Sequence, residues 1–326
     1  MSAQTEQTVP AVAIVVPVFD DWAAFARLLA ELEAAAASLP VRLEVLAVDD
    51  GSLQPAPAGL GAECRRIGGI EVLRLRANLG HQRALAIGLA ECVRAARVDF
   101  VVTMDADGED RPADLAALLE EVFRRPGQVV VAQRARRTEG LVFRAAYLVY
   151  KLAFRFLTGR VIAFGNFAVL PIAAARRLVF MPECWNHLAA TIVKSRLPIL
   201  GRPTARGTRY AGRSTMNLVS LVVHGFSAFS VFIDTAITRL LLFFGATSLA
   251  AVVAAAVAVG LRFGTDLAIP GWATNVFGLS LVVFFQSLTL AAVVLFSVLS
   301  SRSTAPFLVG QRGDEFVEAR TRLTGR

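Results

Sequence analysis

Two carboxylates one residue apart, Asp105 and Asp107, close the run Val101-Val-Thr-Met-Asp105-Ala-Asp107-Gly-Glu109-Asp-Arg-Pro112. The β-branched residues ahead of them predict a buried strand, and side chains at i and i+2 of an extended chain share a face. Asp105 and Asp107 can therefore converge on one divalent cation. Hard cations such as Mg²⁺ and Mn²⁺ prefer carboxylate oxygens and commonly hold substrate phosphates as well. An Asp-x-Asp at a loop start is a weak signal alone, because acids are ordinary there. Its company strengthens it: Asp20/Asp21, Asp49/Asp50 and Asn78 also follow apolar β-type runs.

The elements that must position these groups alternate. Strands are predicted over Ala11–Phe19, Leu43–Val48, Ile70–Leu75, Asp99–Met104 and Gln128–Ala132, with helices over 20–39, 80–96, 112–125 and 141–157. Pro112 suits a helix start, where its missing N–H is harmless. Such alternation predicts a mostly parallel sheet covered by helices, with ligands at the carboxyl ends of its strands. Ala163–Leu170 reads as a strand returning to the site, and Arg196–Arg213 as a loop rich in Arg, Gly and Pro. No Gly-x-Gly-x-x-Gly follows the first strand and no P-loop occurs, which disfavours dinucleotide dehydrogenases and P-loop NTPases.

The 326 residues are 55% hydrophobic, with a mean hydropathy of +0.56, too apolar for an ordinary soluble domain. The excess sits late in the chain. Neither 240–261 nor 267–301 holds a charged residue, and each exceeds the roughly 20 residues that span a bilayer core. A transmembrane hairpin is expected over 237–302, with spans near 240–261 and 275–300. Arg239 and Arg302 flank it, and Arg312, Arg320, Arg322 and Arg326 follow, whereas the connecting loop offers only Arg262 against Asp266. The positive-inside rule then places both termini in the cytoplasm. Ser214–Ile233 carries no formal charge. Its polar stripe of Asn217, Ser220, His224 and Ser227 predicts an amphipathic interfacial helix over 214–236 rather than a third span. Met1–Pro10 is a polar segment without a signal-peptide core, and 303–326 reads as a basic cytoplasmic tail. Cys64, Cys92 and Cys184 form no CxxC pair and suggest neither zinc nor a disulfide. The net charge of +8 is carried almost wholly by arginine, which suits anionic headgroups or a phosphorylated substrate.

In order, Val16-Pro17-Val18-Phe19-Asp20-Asp21, Val48-Asp49-Asp50-Gly51-Ser52, Asn78-Leu79-Gly80 with Ala84, Asp105-Ala106-Asp107, Gln133-Arg134-Ala135-Arg136-Arg137 and Arg209-Tyr-Ala-Gly212-Arg-Ser214 run along the chain. This series resembles family 2 glycosyltransferases of GT-A fold, specifically the polyprenyl-phosphate sugar synthase branch. The resemblance implies a GT-A catalytic domain over 11–213 that moves a sugar, with inversion, from a nucleotide-sugar donor to a polyprenyl phosphate such as undecaprenyl phosphate. It implies Mg²⁺ or Mn²⁺ on Asp105 and Asp107, with Glu109 in the metal shell. Pro17, Phe19, Asp21, Asp49, Asp50, Asn78, Asp105 and Ser214 would bind the donor, Phe19 packing on the base. Asp107, Arg134, Arg137, Arg144 and Arg209 would serve the transfer, the arginines offsetting phosphate repulsion. A bacterial inner-membrane location and a homo-oligomer are implied too.

The departures matter. Glu109 stands where relatives often have Gln. Asn166, in Gly165-Asn166-Phe167, replaces a residue that is often acidic and cannot act as a base. Thr215-Met216 removes a basic-aromatic step, and His224 replaces an Asp. Trp185-Asn186-His187 reads as packing, with lining of the sugar pocket as the sharper idea. Competing readings are transfer to a diacylglycerol- or ceramide-type hydroxyl and a non-catalytic membrane scaffold of the same fold. No aromatic-interleaved basic patch points to nucleic acid.

Overall fold

The computed structural model describes residues 9–134, 141–210, 225–265, 271–302 and 305–324. The chain divides into two compact units. Met1–Leu141, Ile162–Val231 and Phe307–Arg326 form one, and Val142–Val161 with Phe232–Pro306 the other.

The first unit is built on an eight-stranded sheet of β1 (Ala11–Val18), β2 (Arg42–Asp49), β3 (Ile67–Leu75), β4 (Phe100–Thr103), β5 (Val129–Arg134), β6 (Ala168–Pro171), β7 (Ile199–Thr204) and β8 (Val317–Thr324). The strand order is β7-β5-β6-β4-β1-β2-β3-β8. Strands β3, β2, β1 and β4 run parallel, as do β5 and β7. β6 lies antiparallel between β4 and β5, and β8 antiparallel on the outer edge of β3.

β1 explains the layering. All eight of its residues are buried, and alternate side chains enter opposite cores. Ala11, Ala13 and Val15 join the cluster of α2 (His81–Ala95) and α5 (Ile172–Val179). Val12, Ile14, Val16 and Val18 join that of α1 (Trp22–Ala36) and α3 (Leu115–Arg124). A strand covered on both faces must be apolar throughout. Phe25, Leu28, Leu29 and Leu32 of α1 are fully buried, each contributing about 2 kcal/mol of apolar transfer.

Two strands arise where the sequence suggested none. β7 forms within the stretch read as a loop; it ends the sheet, so Pro203 forfeits no ladder hydrogen bond that a central strand would need. β8 forms from the supposed basic tail. It too is an edge, mostly exposed, and its charges hide the alternation that marks inner strands. Phe307 and Phe316 stack on Trp185 at 4.4 and 5.1 Å between ring centroids, tying this segment to the core.

The second unit contains α4 (Leu141–Thr158) from residue 142 onward, α7 (Ile233–Gly264) and α8 (Trp272–Arg302), following the short α6 (Leu188–Lys194) of the first. α7 and α8 pack along one another. They are long and apolar enough to cross a membrane, and only 6% of each apolar window is buried. α7 starts earlier than the expected span, so 233–236, assigned above to the juxtamembrane helix, belong to it. Residues 225–230 are also helical; Ser214, Asn217, Ser220 and His224 lie outside the described residues. On α4, Leu148, Leu152 and Phe156 form an exposed stripe at four-residue spacing, beside exposed Lys151 and Arg155. The Arg239 guanidinium donates to the main-chain carbonyls of Arg155 and Phe156, satisfying acceptors that a helix end leaves free.

Candidate active site

The loops after β1, β2, β3 and β4 gather at the carboxyl edge of the sheet, and the acids of the sequence motifs lie on them. After β2, Asp49 is 1% exposed and its Oδ1 accepts the Ser52 N–H at 2.8 Å. Asp50 accepts from Leu79 N at 2.7 Å and Gly80 N at 2.9 Å, one on each carboxylate oxygen. Burial pushes its pKa up in spite of those bonds. Asp50 thus fixes the Asn78-Leu79-Gly80 turn, leaving Asn78 exposed. Gly51 is required between them: at φ +74, a Cβ would meet Ala77 C and Asn78 N at 2.7 Å.

In the loop after β1, Pro17 pairs with Val48 in the sheet and Phe19 stands 49% exposed beside it. The acid engaged locally is Asp20, not Asp21. Asp20, at φ 49, accepts from Leu53 N at 2.8 Å and gives its own N–H to Ser52 Oγ at 2.9 Å. Asp21 precedes α1 and makes no side-chain cap.

The loop after β4 is different. Asp105 Oδ1 lies 3.2 Å from His81 Nε2, and Asp107 Oδ2 lies 3.2 Å from an Arg209 nitrogen. Asp107 Oδ1 also accepts the Glu109 N–H at 2.9 Å. Burial raises the Asp107 pKa; the charges of Asp105 and Glu109 add to this, against the Glu109 N–H and Arg209. The Glu109 carboxylate, expected in the metal shell, is turned to Arg206 at 2.7 Å. Residues 206–210 strap this loop: Gly207 N donates to Glu109 O and Tyr210 N to Asp107 O, both at 2.9 Å. Gly108, at φ +85, lies so close to the Tyr210 ring that a Cβ would approach it to 2.8 Å. Tyr210 Oη donates to Glu31 at 2.6 Å, anchoring the strap to α1.

A polar chain that the sequence reading missed leads into the same place. Leu188 N donates to Gln82 Oε1 at 2.9 Å, Gln82 Nε2 donates to Asn166 Oδ1 at 3.1 Å, and Asn166 Nδ2 lies 2.9 Å from His81 Nε2. The main-chain donor sets the direction, so Asn166 presents its NH₂ to the imidazole. Asn166 offers Nε2 a proton while Asp105 calls for one. Burial lowers the His81 pKa, but Asp105, with Asp110 and Asp50, outweighs it and the net direction is up. The signal was in the text of the chain: His81 and Gln82 follow the Asn-Leu-Gly turn and begin α2.

Arg134 ends β5 opposite Thr204, and Arg144 lies on α4; Arg137 lies outside the described residues. His187 is 6% exposed and its Nδ1 accepts Ala190 N at 3.3 Å, capping α6. Trp185 packs on Phe307 and Phe316, in keeping with the packing reading of this cluster. Among the described residues no three carboxylate, imidazole or thiol side chains converge as a metal cage. A cation here would rest on Asp105 and Asp107 and complete its shell with water and phosphate oxygens, the usual habit of Mg²⁺. The paired, partly desolvated carboxylates fit that role.

Residues 13–181, more than half of the chain, match the family model for glycosyl transferase family 2. The chain belongs to that family. A dodecaprenyl-phosphate galacturonate synthase of Rhizobium johnstonii is 30% identical over 132 residues, 40% of this chain and 38% of that protein. An undecaprenyl-phosphate 4-deoxy-4-formamido-L-arabinose transferase of Erwinia tasmaniensis is 27% identical over 226 residues, 67% and 66% of the two chains. The chain thus spans less than two thirds of the length of either relative. Among solved structures, glucosyl-3-phosphoglycerate synthase of Mycobacterium tuberculosis, in complex with Mn²⁺, UDP-glucose and phosphoglyceric acid, superposes with a TM-score of 0.50. It has 15% identity and covers 70% of this chain and 80% of that one. At that identity the likeness is one of fold, and the family 2 chain has the GT-A architecture.

Proposed function

We propose that this family 2 glycosyltransferase moves a sugar from a nucleotide-sugar donor to a polyprenyl phosphate at a membrane surface. The observation that carries the reading is the meeting of Asp105, Asp107 and Arg209 at the carboxyl edge of the sheet, in a chain that also holds two long apolar helices. The names of the two curated relatives support the acceptor, and the Mn²⁺ and UDP-glucose of the solved neighbour support a cation-assisted nucleotide donor.

In this reading Asp49 and Phe19 take the nucleoside. Bound to Asp105 and Asp107, Mg²⁺ or Mn²⁺ would neutralise the departing diphosphate. Arg209 holds Asp107 until a diphosphate offers its guanidinium a better anion, and bidentate arginine suits phosphate. An acceptor phosphate is already anionic near neutral pH, so its oxygen attacks the anomeric carbon without a general base. Asn166, which cannot take up a proton as a carboxylate would, is consistent with that. One direct displacement inverts the anomeric centre. Arg134, Arg137 and Arg144 are the candidates to receive the acceptor phosphate. α7 and α8 cross the cytoplasmic membrane with the catalytic unit inside, and α4 lays its Leu148-Leu152-Phe156 stripe in the interface, with Lys151 and Arg155 at headgroups.

The test is transfer by purified protein in detergent, given undecaprenyl phosphate, Mn²⁺ or Mg²⁺, and UDP-, GDP- and dTDP-sugars. Product from one donor, abolished by chelator and by Asp107→Ala, is the expected outcome. Folded protein giving product only with a lipid hydroxyl acceptor, or none with any donor, would refute the polyprenyl-phosphate reading.

A further inference from the structure

We propose that Arg74 contacts the nucleoside end of the donor and that Glu318, on the strand that follows the apolar helices, is the positioning residue that holds it there. The inference rests on the donor reading above. β8 pairs with the outer edge of β3 through Leu73↔Arg320, Arg74↔Ala319 and Leu75↔Val317, so the register skips Glu318. A residue left over at a bulge is re-aimed out of the regular alternation, and such bulges recur at sheet edges beside functional sites. Glu318 is re-aimed at Arg74, whose Nε donates to its Oε2 at 3.1 Å. The same guanidinium donates to the Ser52 carbonyl at 3.4 Å and stands 3.9 Å from Asp49 Oδ2. Three acceptors from two segments, β8 and the Asp49-Asp50-Gly51-Ser52 loop, thus fix one arginine at the end of β3 beside a buried acid. The Arg74 side chain keeps 35% of its surface exposed while that of Asp49 keeps 2%, so Arg74 offers a ligand more surface than the acid beside it.

A guanidinium held before the ligand arrives loses less rotamer freedom on binding. A mere staple between strands would look different, and β8 supplies one for comparison. Arg320, two residues on, pairs with Glu71 of β3 at 2.8 Å and with Glu91 of α2 at 3.7 Å.

The experiment is calorimetric titration of UDP, GDP and dTDP, with Mn²⁺, into the full-length protein and four variants in detergent. For the nucleotide that binds, Arg74→Gln and Glu318→Gln are each expected to weaken Kd about five-fold. The double variant is expected to be no weaker than Arg74→Gln alone, because the two act as one unit. Arg320→Gln is expected to lower Tm while leaving Kd within about two-fold. Wild-type binding combined with a Glu318→Gln effect no larger than that of Arg320→Gln, or with additive Arg74 and Glu318 effects, overturns the inference alone. No binding of any of the three nucleotides by the folded wild-type chain overturns the donor reading and the inference together.

Discussion

The loops after β2 and β4 both present paired acids at the same edge of the sheet, yet they use them differently. Asp49 and Asp50 accept from main-chain N–H groups of Ser52, Leu79 and Gly80. Asp105, Asp107 and Glu109 face the side chains of His81, Arg209 and Arg206, although Asp107 accepts the Glu109 N–H as well. A main-chain donor cannot leave without unfolding a turn, so the first pair is scaffold as well as pocket wall. A guanidinium can swing to a phosphate and back, so the second set is exchangeable. Like motifs thus divide into a part that builds the site and a part that works in it.

The largest effect that follows is on rate. Asp107→Asn is expected to slow transfer by about a thousand-fold, roughly 4 kcal/mol of barrier, while leaving the Tm unchanged or raised. Burial already disfavours the ionised form of Asp107, so a neutral amide removes a penalty along with the function. Near-normal turnover, or a collapse of stability, would erase the distinction between the loops. Asp50→Ala is expected to act the other way, lowering stability by about 3 kcal/mol by stranding the Leu79 and Gly80 N–H groups. Thermal unfolding read by circular dichroism checks it, and an unaltered melt would contradict the scaffold assignment.

Glu33 sharpens the comparison away from the site. Its carboxylate accepts the N–H groups of Arg65, Arg66 and Ile67. Burial alone would raise its pKa, but those bonds and Arg66 bring the net direction down. A carboxylate lowered on folding adds stability above its unfolded pKa and loses it as pH falls through the folded value. Glu33→Gln is therefore expected to cost about 1.5 kcal/mol at neutral pH, with the gap to wild type closing in acid below the ordinary Glu range. A gap constant from neutral pH into strong acid would rule out the charged acceptor. The smallest effect is expected at Glu109, since its carboxylate serves Arg206. Glu109→Gln is expected to change Mn²⁺ affinity less than about two-fold, read by titration calorimetry; a ten-fold loss would put Glu109 back in the metal shell.

Much of this chain was legible in its letters. The apolar runs at β1, β2, β3, β4 and β5 are buried strands, and a strand covered on both faces has no other composition open to it. The two apolar helices were equally plain, because spanning length and the lack of charge are local properties. The acids at strand ends followed from the period of the sheet. Partnership was not local. Glu318 and Arg74 are separated by most of the chain, and only pairing of β8 with β3, with its skipped residue, brings them together. Gln82, Asn166 and Leu188 are likewise far apart in the chain, and only the fold brings them into one hydrogen-bonded series. The family resemblance implies Glu109 in the metal shell, and only the fold of the 206–210 strap brings Arg206 to its carboxylate. The sequence by itself determined the layers, the apolar helices and which acids stand at strand ends, since burial and periodicity act over a few residues. Tertiary structure decided which acids are tied to main chain and which face exchangeable cations, because a hydrogen bond depends on groups within about 3 Å of one another and not on their distance along the chain.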